Sequence, residues 1–195
     1  MTAENPFLNS QCALPDEFCV SVTDMEKRLL SLNINKSSGP DGLPVWIFGD
    51  FAHILAAPLA SIANASLQQG VMPDVWKFSN TVPLPKTSPA RSIESDLRPI
   101  SITSVAAKIV KYFPVNFMYK SVENSLDQNQ FGGVRGSSTV LALLKIMDYI
   151  AKHTDDASSV VRMLLCDFSK AFDLVDHSTL IQKLNDIGVH ESLAR

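Results

Sequence analysis

Apolar side chains recur at helical spacing along much of this chain, and the first such stretch follows a capping pattern. Thr23-Asp24-Met25-Glu26 has the residue order of a capping box, and apolar residues then repeat on one helical face. We expect this helix to end near Asn33, whereas residues 1–20 lack periodicity and predict an irregular lead-in. Further helices are predicted after Leu43-Pro44, over 51–69 with a stop at Gly70, over 104–125, from Ser138 or Thr139 to about Lys152, and over 177–187 with a stop at Gly188.

Two of these predicted helices contain a proline. Pro58 lies inside 51–69, and Pro114 lies inside 104–125. Because proline has no N–H and its ring clashes with the preceding turn, each predicts a kink or a helix boundary.

Two other stretches have the pattern of β-strands. Phe78–Leu84 is followed by Pro85-Lys86, and Val160–Asp167 is an apolar run that ends abruptly in a carboxylate. We predict a strand for the first and a buried strand for the second. Together with the helices they indicate an α/β (α+β) protein rich in helix.

Composition favours a single globular domain. Of the 195 residues, 46% are hydrophobic, which is enough for a sizeable core. The net charge is −3, but residues 86–120 hold six Lys and Arg against two acids. This basic segment predicts contact with phosphates, and a solvated charged face is the alternative.

The chain has no sequence feature of a secreted or membrane protein. Its apolar runs are too short to cross a bilayer, and residues 1–10 lack a basic start followed by an apolar core. The three cysteines, Cys12, Cys19 and Cys166, have no metal-ligand spacing. We expect an intracellular protein without membrane contact, in the nucleus or the cytoplasm.

Asp167 is the first candidate for chemistry. A strand that ends in an aspartate, with Asp173 one short turn later, is a common way to present a ligand to magnesium (Mg2+), which prefers carboxylate oxygens. The structural alternative is that Asp167 caps the segment that follows.

Lys86 and Arg98 are the second candidate. The polar residues between them predict a hairpin that the two cations flank. Arg supplies a bidentate fork and Lys a mobile charge, so the pair suits a triphosphate, and two solvated side chains are the alternative.

Several blocks of the chain resemble reverse transcriptases of non-LTR retrotransposons. DFSKAFDLVDH, from Asp167 to His177, is similar to the family's motif A. KSSGPDGLP, WKFSNTVPLPK and DLRPIS are similar to blocks that precede it in the family. The resemblance implies a partial right-hand polymerase fold, with helix-rich fingers over about 21–159 and an incomplete palm sheet that starts over about 160–195.

The resemblance also implies roles for individual residues. Magnesium would be bound by Asp167 and the backbone carbonyl of Phe168. The incoming nucleotide would contact Lys86, Arg98, Lys170, Ala171 and Phe172. Of these, Phe172 would exclude a nucleotide that carries a 2′-hydroxyl. The loop of Lys36, Gly39, Asp41 and Gly42 would face template or primer. RNA template, DNA primer and deoxynucleoside triphosphates are the implied partners of the complete enzyme.

The sequence departs from the family in ways that limit its expected activity. It contains neither a QG-x-x-x-SP loop nor an aromatic-Ala-Asp-Asp turn, and Asp155-Asp156 lacks the expected neighbours. Lys108-Ile109-Val110-Lys111 replaces K-x-x-E, and GGVRG replaces GFRxG. We expect magnesium binding to be weak or absent and the isolated chain to be inactive. The alternative is a non-catalytic remnant that binds RNA or protein, with Phe113 or Tyr119 as stacking residues.

Overall fold

The computed structural model describes residues 14–89, 91–154, 159–168, 171 and 174–194. The chain divides into two compact units, residues 1–121 with 188–195, and residues 122–187. Each unit is described on its own. In the described part of the chain, no helix is both long and apolar enough to cross a membrane.

The first helix of the first unit, α1 (Val22–Leu30), begins two residues before the predicted position. Ser21 is the N-cap, since its hydroxyl oxygen accepts the N–H of Asp24 at 3.0 Å and its O–H donates to the Asp24 carboxylate at 2.7 Å. The capping box expected at Thr23 is therefore wrong. Ser21 has the extended backbone that an N-cap needs, and starting there turns Met25 and Leu29 fully into the core.

Helices α2 (Val45–Asp50) and α3 (Ala52–Gln69) follow, and α3 is continuous through Pro58. The predicted helix boundary at Pro58 is wrong, and the kink, its alternative, stays a prediction. Pro58 lies on the exposed side of α3, where water can bond the carbonyl that loses its N–H partner. The predicted stop at Gly70 is confirmed, because Gly70 is left-handed with φ 64°.

The lead-in contributes to the core of this unit. After a short 3-10 turn, Asp16–Phe18, both Phe18 and Val20 are buried. The side chain of Asn64 on α3 accepts the Val20 N–H at 2.7 Å and donates to the Val20 carbonyl at 3.0 Å. This amide thus satisfies both backbone groups of Val20 and fastens the segment to α3.

A two-stranded antiparallel hairpin follows a second 3-10 turn, Asp74–Trp76. It consists of β1 (Ser79–Pro85), the short helix α4 (Ile93–Asp96) and β2 (Leu97–Thr103), in a register from Ser79 opposite Thr103 to Pro85 opposite Leu97. The strand predicted over 78–84 is confirmed. Pro83 lies opposite Pro99, so the two residues without an N–H share one rung of the ladder.

Helix α5 (Val105–Val122) leads out of the hairpin and passes through Pro114 without a boundary. Its buried face holds Ile109 and Phe113.

The first unit also includes Val189 and the short helix at Glu191–Ala194, and the centre of the His190 ring lies 5.3 Å from that of the Phe18 ring. The core of the described residues consists of Phe18, Val20, Met25, Leu29, Val45, Phe48, Ala52, Ala56, Leu59, Ala60, Ala63, Leu67, Trp76, Val105, Ala106, Ala107, Ile109, Val110, Phe113, Val189 and Leu193.

The second unit contains α6 (Thr139–Thr154) and α7 (His177–Asp186). Both helices match their predictions. The Ser138 hydroxyl accepts the N–H of Leu141 at 3.2 Å, and Gly188 follows α7 with φ 91°. None of the described side chains in this unit is buried.

The buried strand predicted over Val160–Asp167 is wrong. Residues 159–168 form neither strand nor helix, and Val160, Leu164 and Leu165 are 80%, 86% and 80% exposed. A strand requires a partner for its ladder, and no described segment pairs with this one. The fold is nevertheless α+β, because the regular structure of the described residues consists of helices and one small antiparallel hairpin.

Candidate nucleotide and metal site

The β1–β2 hairpin brings Lys86 and Arg98 to the same end of the ladder. Arg98 lies directly opposite Leu84, and the Lys86 N–H donates to the Asp96 carbonyl at 2.7 Å, one rung beyond β1. Lys86 directly follows the last residue of β1, and Arg98 is the second residue of β2, so the two residues flank the loop at the same end of the ladder. Both cations are exposed, so an anion at this end of the hairpin can reach both.

Asp96 fixes the loop that joins the two strands, and the sequence pattern did not single it out for this. Its carboxylate accepts the N–H of Arg91 at 2.8 Å and of Ser92 at 3.1 Å. The available signal was an Asp at the end of a Ser-rich turn, since Asp readily accepts backbone N–H groups there. Asp96 therefore holds the geometry from which Lys86 and Arg98 extend.

The GPDG loop has a structural function that its turn chemistry only partly predicted. Gly39 is buried, and a Cβ built on it would lie 2.4 Å from Ser104 Cα. Asp41 accepts the Leu43 N–H at 3.2 Å, and Gly42 has φ 67°. The loop therefore docks on the junction between β2 and α5, while the side chain of Lys36 at its start is exposed.

Asp167 and Phe168 belong to the second unit, and both are exposed. A carboxylate and the neighbouring backbone carbonyl are hard oxygen donors that suit a divalent cation. In the described ranges, no three His, Cys, Asp or Glu residues gather into a metal-binding group. The donors present thus have the right chemistry for part of a metal site.

Other predicted site residues fall partly outside the described ranges. Ala171 lies in a turn and is exposed. Lys170, Phe172 and Asp173 lie outside the described residues, as does Asp155-Asp156. Their predicted roles therefore stay predictions.

Asp176 is the N-cap of α7. Its carboxylate accepts the Thr179 N–H at 2.7 Å. This bond to the Thr179 backbone lowers the pKa of Asp176, with a smaller contribution from the charge of His177. His177 itself is the first residue of α7.

We expect the stability of α7 to decrease in acid through Asp176. A carboxyl whose pKa is lowered by folding stabilises the folded state above its unfolded pKa, and that contribution is lost as pH falls through the lowered value, below about pH 4. An NMR titration of the Thr179 amide should follow this loss. Asp176→Asn should abolish the pH dependence of that amide, and an unchanged titration in the variant would contradict the assignment.

One residue proposed for stacking on nucleic acid is not accessible. Phe113 is only 6% exposed and packs edge-on against the Tyr112 ring at 5.4 Å, so its assignment as an exposed stacking residue is wrong. The same four-residue spacing that predicted α5 places Ile109 and Phe113 on its buried face. Tyr119 is half-buried.

Comparison with known proteins identifies the family. Residues 84–195, more than half of the chain, match the family model described as "Reverse transcriptase (RNA-dependent DNA polymerase)". The chain belongs to the reverse transcriptase family. The match includes the Arg98 strand and the Asp167 segment, and the family relies on divalent metal, nucleotides and nucleic-acid strands in general.

The chain is also similar to proteins of retrotransposons and other mobile elements. The chain is 24% identical over 168 residues to "Retrovirus-related Pol polyprotein from type-2 retrotransposable element R2DM" of Drosophila melanogaster, covering 86% of the chain and 15% of that protein. It is 25% identical over 182 residues to "RNA-directed DNA polymerase from mobile element jockey" of the same species, covering 92% and 19%. It is 27% identical over 168 residues to "Transposon TX1 uncharacterized 149 kDa protein" of Xenopus laevis, covering 85% and 12%.

These relatives confirm the resemblance to reverse transcriptases of non-LTR retrotransposons. The chain spans less than a fifth of the length of each of the three relatives.

Proposed function

We propose that this chain supplies the nucleotide-contacting hairpin and the first metal-binding segment of an enzyme that copies RNA into DNA for retrotransposition. The observation that carries the proposal is the hairpin, which places Lys86 and Arg98 at one end of a shared ladder. Family membership supports it, since residues 84–195 include both cations and Asp167.

In this proposal the metal is magnesium. The carboxylate of Asp167 and the backbone carbonyl of Phe168 would hold part of its coordination sphere. When bound together with further carboxylates, the metal ions would activate the primer hydroxyl and stabilise the leaving pyrophosphate. One exposed carboxylate binds Mg2+ poorly, so the chain alone is expected to be inactive.

The remaining predicted residues complete the nucleotide side of the proposal. Lys170 and Ala171 would lie near the triphosphate, and Phe172 would exclude a 2′-hydroxyl from the incoming nucleotide. The loop from Lys36 through Gly39 and Asp41 to Gly42 would lie near an RNA template or DNA primer. We also propose an intracellular location, which the exposed free cysteines Cys19 and Cys166 support.

Replacing both hairpin cations tests the nucleotide contact. We expect Lys86→Ala with Arg98→Ala to weaken binding of a deoxynucleoside triphosphate by about a hundredfold or more, since each charge-assisted bond to phosphate contributes about 1.5–3 kcal/mol and about 1.4 kcal/mol is a factor of ten. Isothermal titration calorimetry on the full chain measures this. Lys77→Ala is the matched control, because Lys77 is exposed, precedes β1 at the opposite end of the hairpin and pairs with Asp74 at 2.7 Å. An equal loss in the control would refute a specific clamp.

A non-catalytic role in binding RNA or protein is the second candidate. It is favoured by an apolar cavity of about 540 Å³ in the second unit, between α6 and residues 161–164, and by the exposed apolar residues Leu143, Leu144 and Met147. Salt-sensitive RNA binding that survives Asp167→Asn but weakens in the Lys86→Ala, Arg98→Ala variant would favour this candidate, provided that no primer extension is observed.

A further inference from the structure

A second cationic site lies in the first unit, within the contacts of α1, the loop after it and α5. It is a cavity of about 400 Å³. Three cations line it, Arg28, Lys36 and Lys108, and none of its lining residues is acidic. The other lining residues are Ser31, Leu32, Asn33, Ser37, Val45 and Val105.

Arg28 lines both this cavity and a neighbouring one, and two contacts orient its side chain. Its guanidinium lies at 4.2 Å from the centre of the Tyr112 ring, which lines the neighbouring cavity. Its Nη1 donates at 3.3 Å to the hydroxyl of Ser31, which lines both cavities. Its Nε is buried without a hydrogen-bond partner among the described residues. A buried donor without an acceptor costs about 1–3 kcal/mol, so an oxygen ligand at this guanidinium would remove a penalty as well as add a bond.

Two lysines complete the cationic lining. Lys36 ends a turn in which its N–H donates to the Asn33 carbonyl at 3.1 Å, and Lys108 lies in the first turn of α5. The buried contact of Gly39 with Ser104 holds the Lys36 loop beside the start of this helix. Within the described ranges, neither lysine nor Arg28 forms a salt bridge within 4.0 Å.

A bound anion would stabilise this arrangement. It would offset the mutual repulsion of the three cations, which water screens at the exposed Lys36 and Lys108, and the unfavourable position of a lysine near the N-terminus of a helix. A neighbouring cavity that Arg28 also lines has mixed charge, because Glu17 and Asp24 line it together with Arg28, Lys27 and Lys120. The lack of acidic lining residues therefore favours the first cavity over its neighbour as an anion site.

We propose that the Arg28–Lys36–Lys108 cavity binds a backbone phosphate of a single nucleic-acid strand. This inference rests on the proposed function, because that function brings such a strand to this protein. Arg28 binds phosphate oxygens through its planar fork, and the two lysines add point charges from the loop and from α5. Ser31, Ser37 and Asn33 supply neutral hydrogen-bonding groups.

The test is fluorescence anisotropy of a labelled single-stranded RNA of about 12 nucleotides with the full chain, over a salt series. We expect Lys36→Gln with Lys108→Gln to weaken binding about tenfold or more. The slope of log affinity against log salt should become shallower by up to about 0.7, since one phosphate contact on a single strand contributes about 0.7. Arg28→Lys retains the charge, so it should weaken binding while leaving the slope unchanged.

Lys27→Gln is the matched control, because Lys27 lies on the same helix but lines the mixed-charge cavity and pairs with Asp24 at 3.9 Å. Its affinity should stay within about twofold of the wild type, since exposed pairs contribute little. Equal losses of RNA affinity in the control and the double variant would overturn the proposal. An RNA affinity that is unchanged in the double variant would also overturn it. Circular dichroism melting must show that the variants remain folded.

Titrations with inorganic phosphate and with a deoxynucleoside triphosphate separate the two sources of phosphate. If these bind in a manner that depends on Lys36 and Lys108 while RNA does not, the site takes free phosphate and the strand assignment is wrong. Neither Lys86 nor Arg98 lines this cavity. If the RNA-binding test of this cavity fails, the proposal that the hairpin binds a nucleotide is unaffected. If the triphosphate-binding test of the hairpin fails, the RNA-binding result for the cavity is equally unaffected.

Discussion

Gly39→Ala is expected to lower the free energy of unfolding of this protein by about 3 kcal/mol. The added Cβ would lie 2.4 Å from Ser104 Cα and 2.8 Å from the Thr103 carbonyl oxygen, and both are backbone atoms that cannot rotate away. Overpacking of this kind costs about 1–3 kcal/mol, and a backbone obstacle places the cost at the upper end. Urea unfolding followed by the fluorescence of buried Trp76 measures it.

Two other glycines provide controls for this substitution. Gly49→Ala should be neutral or stabilising by about 0.5–1 kcal/mol, because Gly49 is in α2 and the nearest atom to its Cβ is Ile34 Cγ2 at 3.8 Å. Gly42→Ala should cost about 1 kcal/mol from its φ of 67° alone, with open space around it. If Gly39→Ala were as mild as Gly49→Ala, the docking of the loop on Ser104 would be disproved.

The elements that the sequence predicted well are those whose signals are local. Gly70 ends α3, Ser138 begins α6, and Gly188 follows α7, each through a cap formed by residues close in the chain. The hairpin was predicted because the polar residues before Arg98 favour a turn. The register, in which Arg98 lies opposite Leu84, could be determined only from the structure.

The misassigned N-cap of α1 is a local error, since Ser21 competes with Thr23 two residues away, but three other errors and omissions arise from contacts between distant residues. Val160–Asp167 has the composition of a strand, but composition does not supply the partner that a strand needs. Gly39 is part of an obvious turn, yet the reason for a glycine there is Ser104, far along the chain. Phe113 has the right spacing for a helix, and only packing decides which face of that helix is buried.

Asp167→Asn is expected to reduce DNA synthesis by about three orders of magnitude in a longer protein. That protein joins this chain to the aromatic-Ala-Asp-Asp turn, which supplies the further metal-binding carboxylates. Asn has the size of Asp but no charge, so it binds a divalent cation poorly, and a catalytic metal contributes several kcal/mol to transition-state stabilisation. Asp176→Asn is the matched control, since Asp176 lies in the same segment and its carboxylate caps α7. This control should retain most of the activity.

Primer extension on an RNA template, with deoxynucleoside triphosphates and magnesium, tests whether Asp167 is a metal ligand of a reverse transcriptase. We expect extension by the protein that also contains the aromatic-Ala-Asp-Asp turn, its loss in Asp167→Asn, and its retention in Asp176→Asn. We expect no extension by the 195-residue chain alone. Full activity of the Asp167→Asn protein, or template-dependent extension by the isolated chain, would show that Asp167 does not have this role.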